Sequence, residues 1–266
     1  MIRSHFGIEQ NPFDDSAPVL LTHQKEIFET IRVHCRQGGL CLLMGEPGTG
    51  KSVIKRAVIN HDPKRMITPA VARTLHTYSN TLMILCEAFG IECGGRDTLR
   101  EKLLIEAAWK ISHEGKMLVP VIDDAHLMDI DCLRKLRLLF EDFPKNHNLL
   151  LIAQPALLNK LRLMVNEDIR SRITYSVTLR RLSSDDIKAF IHGQLDRVAL
   201  AHSTFGDDAL DLIARSSEGV LRRARNLCIS ALLETVRARK KTAGLDEVNR
   251  VLMQPHWRKD NDIESP

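Results

Sequence analysis

The sequence predicts an α/β fold in which helices cover a parallel sheet, followed by a smaller all-helical lid. Two observations support this prediction. Short apolar runs such as Leu149–Ala153 alternate with helical segments up to about residue 180, a pattern typical of a buried parallel sheet. From Ser183 onward, only helical periodicity remains. The expected organisation is an irregular N-terminal segment (1–22), an α/β domain (23–180), a helical lid (181–254) and a polar tail (255–266).

The individual elements follow from the same periodicity, from turn residues and from helix caps. Residues 1–20 contain Pro12 and Pro18 and read as irregular. Strands are predicted at 40–44, 67–71, 117–122, 149–153 and 173–179. Helices are predicted at 23–37, from about 51 onward, and at 82–89, 99–112, 133–143, 187–200, 207–216, 221–239 and 245–253.

Composition excludes several classes of protein. The first residues contain no apolar run of a signal peptide, and no stretch approaches the roughly 20 apolar residues of a membrane span. The six cysteines form no C-x-x-C pair, which favours buried reduced thiols over a disulfide or metal framework. We therefore expect a cytoplasmic protein. The net charge of +4 permits an anionic partner without requiring one.

A phosphate-binding loop is the most specific motif in the chain. The spacing G-x-x-x-x-G-K-S runs from Gly45 to Ser52, between an apolar strand and a helix. Its glycines let backbone N–H groups point at phosphate oxygens, Lys51 reaches the β- and γ-phosphates, and the Ser52 hydroxyl binds Mg²⁺. The chain contains no guanine-reading N-K-x-D, which favours ATP over GTP. The predicted nucleotide contacts are Gly45, Glu46, Pro47, Gly48, Thr49, Gly50, Lys51, Ser52 and Val53.

A second motif consists of two acids at the end of a buried strand. The apolar run 117–122 ends in Asp123 and Asp124. In nucleotide hydrolases, the first acid of such a pair holds Mg²⁺ and the next polarises the attacking water. Asp123 is therefore a predicted metal ligand, and Asp124 a predicted catalytic base. The alternative is a pair of solvated acids at a strand end.

Taken in order, the motifs resemble those of AAA+ ATPases of the general secretion pathway protein A (ExeA) type. Transposition ATPases of the TniB and TnsC kind share this domain. The resemblance covers roughly residues 5–250. Its motifs are Phe6-Gly7, Pro12-Phe13, the loop Gly45–Ser52, Asp123-Asp124-Ala125-His126, Gln154-Pro155-Ala156-Leu157, the segment from Ile169 to Ile173, and Gly219-Val220-Leu221-Arg222.

The resemblance implies roles for residues outside the phosphate loop. Gln154 resembles the sensor-1 residue that reads the γ-phosphate, and Arg222 the sensor-2 arginine of the lid. Arg170 and Arg172 resemble the arginine-finger region, which completes the site of a neighbouring subunit, so activity would depend on a homo-oligomer formed with ATP. For each arginine, the alternative is a surface charge or an acidic partner.

This sequence departs from the family pattern at two positions. Asp124 replaces the usual Glu, and Leu221 replaces the proline usual before the lid arginine. A carboxylate displaced by about 1 Å can slow a reaction about a hundredfold, so we expect slow ATP hydrolysis. The second departure bears on the geometry of the lid.

The biological role is a choice among three hypotheses. Secretion-type relatives usually continue into a membrane span and a periplasmic part, whereas this chain stops after the lid. That favours a transposition regulator, which binds duplex DNA without sequence preference and recruits a transposase or integrase. The alternatives are a secretion or envelope ATPase, and a nucleotide-binding switch with negligible hydrolysis. Clustered basic residues attract duplex DNA, although such clusters are often only solvated helix faces. The predicted DNA contacts are Arg73, Arg223, Arg225, Arg239, Lys240 and Lys241.

Overall fold

The computed structural model of the protein describes residues 1–14, 20–71, 77–92 and 94–257. Their contacts group the chain into two units. The α/β unit consists of residues 22–47 and 51–179. The helical unit consists of residues 1–21, 48–50 and 180–266, so the N-terminal segment groups with the C-terminal helices.

Parallel strands form the centre of the α/β unit, which confirms the predicted fold class. Among the described residues, one sheet has five strands in the order β3-β5-β6-β1-β7, and β2 pairs with β4 in a separate two-stranded sheet. The strands are β1 (Gly39–Gly45), β2 (Met66–Ile67), β3 (Ala70–Val71), β4 (Met117–Leu118), β5 (Val121–Ile122), β6 (Asn148–Ala153) and β7 (Ile173–Leu179).

Two predicted strands are each divided by a proline. Pro69 separates β2 from β3, and Pro120 separates β4 from β5. Proline has no N–H and cannot donate to a strand ladder. Each proline carbonyl still accepts a hydrogen bond, from Val121 N–H to Pro69 (2.9 Å) and from Leu150 N–H to Pro120 (3.0 Å). The runs 67–71 and 117–122 are therefore extended, but each belongs to two different sheets.

Helices surround this sheet and build the second unit. In the α/β unit, Leu42, Ile122 and Leu151 of the strands pack with Leu82 and Leu136 of the helices in one buried core. Along the described chain, no helix is both long and apolar enough to cross a membrane. The helices are α1 (Ile2–Phe6), α2 (Thr22–Gln37), α3 (Lys51–Asn60), α4 (Tyr78–Ala88), α5 (Asp97–His113), α6 (Ile130–Glu141), α7 (Ala156–Leu161), α8 (Glu167–Arg170), α9 (Ser184–Asp196), α10 (Asp207–Ser216), α11 (Leu221–Arg237) and α12 (Leu245–Leu252).

The N-terminal segment of the helical unit is more ordered than predicted. It contains α1, and Phe13 is buried with its ring 6.5 Å from that of Phe190 and 6.3 Å from that of Phe205. Two arginines hold its backbone: the Arg225 Nε–H donates to the Phe13 carbonyl (2.7 Å), and the Arg197 guanidinium donates to three carbonyls of residues 11–14. The prediction of an irregular N-terminal segment is therefore wrong for α1, which is helical.

The cysteines follow the prediction at four positions. Cys35, Cys41, Cys132 and Cys228 are free and buried. Cys86 is disulfide-bonded, so the expectation that every thiol is reduced is wrong there. Short-range spacing was the basis of that expectation, and a disulfide outside a C-x-x-C pair leaves no such signal.

Candidate functional site

The loop between β1 and α3 forms a cradle of backbone groups. Gly48 and Gly50 have φ angles of 81° and 105°, a left-handed backbone that glycine adopts without strain. The Lys51 ammonium curls back into the loop and donates to the carbonyls of Gly45 (2.7 Å) and Glu46 (2.9 Å). The loop thus holds a cation at the mouth of a helix N-terminus, an arrangement that suits bound phosphate.

The acidic motif and Gln154 lie at the same end of the sheet as this loop. Asp123 follows β5, Gln154 follows β6, and β6 lies between β5 and β1. Because carboxyl ends of parallel strands meet at one edge, the structure brings Asp123, Gln154 and the start of the loop together. These residues were separated by up to about a hundred positions in the sequence.

Asp123 is already paired with a cation that sequence reasoning did not single out. Its Oδ2 lies 2.6 Å from the Lys55 Nζ, while its Oδ1 accepts a hydrogen bond from the Asp124 N–H (3.0 Å). Lys55 is one helical turn beyond Lys51 on α3, and residues four apart share a helix face. That spacing is the signal that could have identified Lys55.

Asp124 has a left-handed backbone, with φ at 53°. Aspartate and asparagine tolerate this conformation better than most residues. The Asp124 side chain is 55% exposed, and its Oδ1 lies 4.0 Å from the Nδ1 of His126. A carboxylate here is open to water, as the predicted catalytic role requires.

His126 connects the acidic motif to the end of β6. Its Nδ1 accepts a hydrogen bond from the Gln154 N–H (3.4 Å), and its carbonyl accepts one from the Lys160 ammonium (3.0 Å). Burial lowers the pKa of His126, an effect that the neighbouring Asp124 carboxylate opposes. The ring is therefore neutral near pH 7, which leaves Nδ1 able to accept.

The residues at this end of the sheet fit a nucleoside triphosphate with Mg²⁺. The loop offers backbone N–H groups and the Lys51 cation, both suited to phosphate oxygens. Ser52 is exposed in the first turn of α3, and Asp123 supplies a carboxylate. Hydroxyl and carboxylate oxygens are the ligands that Mg²⁺ prefers, with water and substrate phosphates completing its octahedron.

Arg170 and Arg172 lie at the opposite end of the sheet. Arg172 directly precedes β7, whose Ile173 pairs with Leu40 near the start of β1. The phosphate loop begins at Gly45, at the other end of β1, about 20 Å away at 3.3 Å per residue. The α/β unit does not bring these two arginines to its own phosphate loop.

Each of these arginines pairs with a carboxylate of its own chain. Arg170 forms an ion pair with Glu167. Arg172, 60% exposed, has its guanidinium 2.9 Å from the Glu141 Oε1. Arg137 donates to the same Glu141 oxygen at 2.9 Å, so this carboxylate has two cationic partners.

A cavity of about 400 Å³ opens beside this arginine pair, at the amino end of the sheet. Arg137, Glu141, Arg172 and His147 are among its lining residues. His147 is buried, and burial lowers its pKa to about 4, although the Ala108 carbonyl opposes the shift. Its ring is therefore neutral near pH 7, and its Nδ1 bonds to the side-chain oxygen of Asn146 (2.9 Å).

In the helical unit, the residues at the start of α11 have internal partners. The Arg222 N–H donates to the carbonyl of Gly48 (3.3 Å), a residue that groups with this unit. Arg223 pairs with Glu218 (3.0 Å) and lies over the Trp257 ring, and Arg225 holds the Phe13 carbonyl. The basic character of this cluster thus contributes to the packing of the unit.

The second basic cluster, Arg239 to Lys241, follows α11, and only some of its residues have ion-pair partners. Lys240 donates to the buried Glu247 (2.9 Å). Burial acts to raise the pKa of Glu247, but hydrogen bonds from Lys240 and from the Gly244 N–H outweigh it and lower the pKa. Arg239 and Lys241 are exposed, and the described residues provide neither with an ion pair. Arg73 lies outside the described residues.

Comparison with known proteins agrees with this geometry. The family model of the AAA domain matches residues 33–161, which include the phosphate loop, the acidic motif and Gln154. The ORC2 protein of Aeropyrum pernix, solved in ADPNP-ADP complexes, superposes with a TM-score of 0.73 over 93% of this chain and 72% of that one. The fold is that of the AAA+ ATPases.

Two further known proteins are similar to this chain. General secretion pathway protein A of Aeromonas hydrophila is 27% identical over 248 residues, covering 88% of this chain. This chain spans only 44% of that protein. The ORC1 protein of Aeropyrum pernix, solved in complex with DNA, superposes with a TM-score of 0.69 over 90% of this chain and 67% of that one. Both ORC structures are only 16% identical in sequence to this chain, so the likeness shows the fold alone.

Proposed function

We propose that this chain binds ATP with Mg²⁺ and hydrolyses it slowly. We further propose that ATP assembles it into oligomers that bind duplex DNA without sequence preference and recruit a transposase. The observation that carries the proposal is the division of catalytic groups between the two ends of β1. The phosphate loop lies at one end and Arg172 at the other, about 20 Å apart.

At the loop end, the proposal gives each group one task. Lys51 and the loop amides hold the phosphates, and Ser52 and Asp123 would hold Mg²⁺, which when bound would supply positive charge beside the transferred phosphoryl group. Asp124 orients the attacking water. Gln154 and Arg222 keep the sensor roles that their motifs imply. The short side chain of Asp124 supports slow turnover.

At the other end, an arginine must act on a neighbouring molecule. Arg172 is the better candidate because releasing it from Glu141 leaves that carboxylate paired with Arg137. Releasing Arg170 leaves Glu167 without the ion pair that it has in the subunit. An arginine supplied by a neighbour stabilises transition-state charge and makes hydrolysis depend on assembly.

DNA binding is proposed from charge and from likeness. Arg239 and Lys241 are exposed and offer the clearest phosphate contacts. Arg223, Arg225 and Lys240 have partners within the helical unit, so we expect smaller contributions from them. The similar ORC1 structure is a DNA complex, which makes DNA a reasonable partner to test first.

A second candidate function is a role in secretion or the cell envelope. The 27% identity to General secretion pathway protein A favours it directly. This candidate predicts association with an envelope protein and no effect of DNA on assembly. A third candidate, a switch with negligible hydrolysis, differs from the first only in turnover.

The proposal is tested by sedimentation and electron microscopy of the protein with duplex DNA, in ATP, a non-hydrolysable analogue or ADP, at low and moderate salt. We expect oligomers on DNA with ATP or the analogue, weaker ones with ADP, and a steep loss with salt because phosphate contacts release counterions. Adding an integrase-like transposase should yield a joint complex. A monomer that ignores DNA and ATP in every condition would overturn the proposal and favour the secretion role.

Lys51→Ala is the matched test of nucleotide binding. Loss of the only side-chain cation of the loop should abolish ATP binding in a fluorescence titration, and with it assembly. The control is Lys102→Ala, which removes an exposed lysine of the same unit. Wild-type affinity in Lys51→Ala would contradict the site assignment.

A further inference from the structure

Three consecutive apolar residues project from the α/β unit between α7 and α8. Leu163, Met164 and Val165 are 57%, 91% and 73% exposed. We call them the Leu163–Val165 turn. Single exposed apolar residues are ordinary, but contiguous exposed apolar side chains mark interaction surfaces.

One arginine, Arg134, forms hydrogen bonds that hold the backbone of the turn. The Arg134 guanidinium donates to the Val165 carbonyl (3.2 Å) and to the side-chain oxygen of Asn166 (3.0 Å). It also pairs with Asp168 (2.9 Å) and Asp131 (2.6 Å). These bonds fix the backbone of the turn to α6 on one side and α8 on the other.

Asn166 closes the base of the turn. It is buried, its side-chain amide donates to the Lys160 carbonyl (2.8 Å), and its N–H donates to the Leu163 carbonyl (2.9 Å). A preorganised surface loses little conformational entropy when it binds a partner. The backbone that carries these three exposed apolar residues is therefore held in one conformation.

The turn shares its support with the two candidate finger arginines. Asp168, which Arg134 holds, lies on α8 together with Arg170, and Arg172 follows two residues later. From Met164 to Arg170 the chain is helical, which at 1.5–2 Å per residue places them about 10 Å apart. An interface of ordinary size, about 800 Å² on each side, covers both.

We infer that the Leu163–Val165 turn docks on a second copy of this chain in the ATP-dependent oligomer. The inference rests on the proposed function, in which Arg172 reaches the phosphate loop of a neighbouring copy. A neighbour close enough to receive this arginine also covers the turn, because the turn directly precedes α8 and Arg172 lies two residues after its end. The turn then supplies apolar contact area that does not depend on nucleotide charge.

The test compares substitutions at two methionines in the full chain. Met164→Glu places a charge in the turn, and Met253→Glu makes the same change at a methionine of the helical unit that is also largely exposed (66%). Assembly is followed by sedimentation over a series of protein concentrations with a non-hydrolysable ATP analogue. Met164→Glu should raise the concentration for half-assembly by about tenfold or more, with nucleotide affinity unchanged. Met164→Leu and Met253→Glu should assemble like wild type.

The outcomes distinguish a failure of this inference alone from a failure of the proposed function. If wild type assembles and Met164→Glu assembles equally well, the inference is overturned and the proposed function stands. Equal weakening by Met253→Glu also overturns it, because general surface charge would then explain the effect. If wild type stays monomeric with the analogue, the proposed function and this inference fall together.

A second measurement does not depend on how Met164→Glu folds. A photo-crosslinking amino acid at position 164 should join two chains when the analogue is present, and the product should be lost with ADP. Mixing isotopically labelled and unlabelled chains identifies links between copies. An assembled sample without such links would overturn the inference.

Discussion

The two ends of the parallel sheet in the α/β unit carry different kinds of sites. At the carboxyl end, the loop after β1, Asp123 after β5 and Gln154 after β6 converge within one chain. At the amino end, Arg172 is paired with Glu141 beside a cavity of about 400 Å³. One end brings together the residues proposed to bind the nucleotide, whereas the other carries Arg172, which we propose acts on a neighbouring molecule.

The difference shows how strand length separates the parts of a reaction. A strand of seven residues places its two ends about 20 Å apart, beyond the reach of any side chain. A side chain at the amino end therefore does not reach the phosphate loop of its own chain, and the proposed role of Arg172 requires a second molecule. The predictions below test whether the amino end is catalytic across a subunit boundary or only structural.

The largest expected effect comes from Arg172→Ala. It should leave ATP binding intact but lower hydrolysis roughly 10⁴-fold, the scale of an arginine that stabilises phosphoryl-transfer charge. Mixing this variant with Lys51→Ala should restore part of the activity, because the second chain supplies Arg172 to the nucleotide of the first. Phosphate release from each protein and from the mixture is the measurement.

The control for that experiment is Arg162→Ala, which removes an exposed arginine from the same segment. It should hydrolyse ATP like wild type. An inactive mixture of Arg172→Ala and Lys51→Ala would mean that the amino end does not act in trans.

A smaller effect is expected at the carboxyl end from Asp124→Asn. Asparagine tolerates the left-handed backbone at φ 53°, so the loop should keep its shape while losing the group that polarises water. Hydrolysis should fall about 10³-fold with nucleotide affinity unchanged. Single-turnover phosphate release and a binding titration distinguish the two quantities. Wild-type turnover would exclude Asp124 as the base.

The smallest effect concerns stability at the amino end. The folded-state pKa of His147 is about 4, below its ordinary 6.5, so the unfolded chain binds a proton first as the pH falls. The stabilisation is complete above pH 6.5 and is lost as the pH falls towards 4. The difference corresponds to about 3 kcal/mol.

Urea unfolding of wild type and His147→Gln between pH 7 and 4 measures this contribution. The variant should lose less stability over that range, because it has no group to protonate there. His113→Gln, at an exposed histidine, should follow the wild-type curve. Parallel curves for His147→Gln and wild type would show that the amino end is not sensitive to this protonation.

The sequence predicted those structural features that are determined by residues adjacent in the chain. The strand–loop–helix around Gly45–Ser52 was predictable because eight consecutive residues and their flanks carry the signal. The order of apolar runs indicated the parallel sheet in the same way. The breaks at Pro69 and Pro120 also had a local cause, because proline has no N–H to donate to a ladder. Using that rule would have predicted two short strands in place of each long one.

Pairs that are distant in sequence left no such signal. Asp123 meets Lys55 across 68 positions, and Arg225 meets the Phe13 carbonyl across 212. Arg225 was therefore predicted only as a DNA contact, although it also holds the N-terminal segment. The roles of Arg170, Arg172 and Arg222 came from resemblance, and they remain predictions because they concern a nucleotide or a second molecule.

The Lys55–Asp123 ion pair occupies the carboxylate that we propose as a ligand of Mg²⁺. The Asp123 carboxylate already has an ammonium partner, so Asp123 would hold Mg²⁺ only by exchanging Lys55 for the metal. Such a replacement would release Lys55, which lies on the helix that follows the phosphate loop, one turn beyond Lys51. Metal binding would then be coupled to a shift of positive charge along α3, whereas here Lys55 compensates the charge of Asp123.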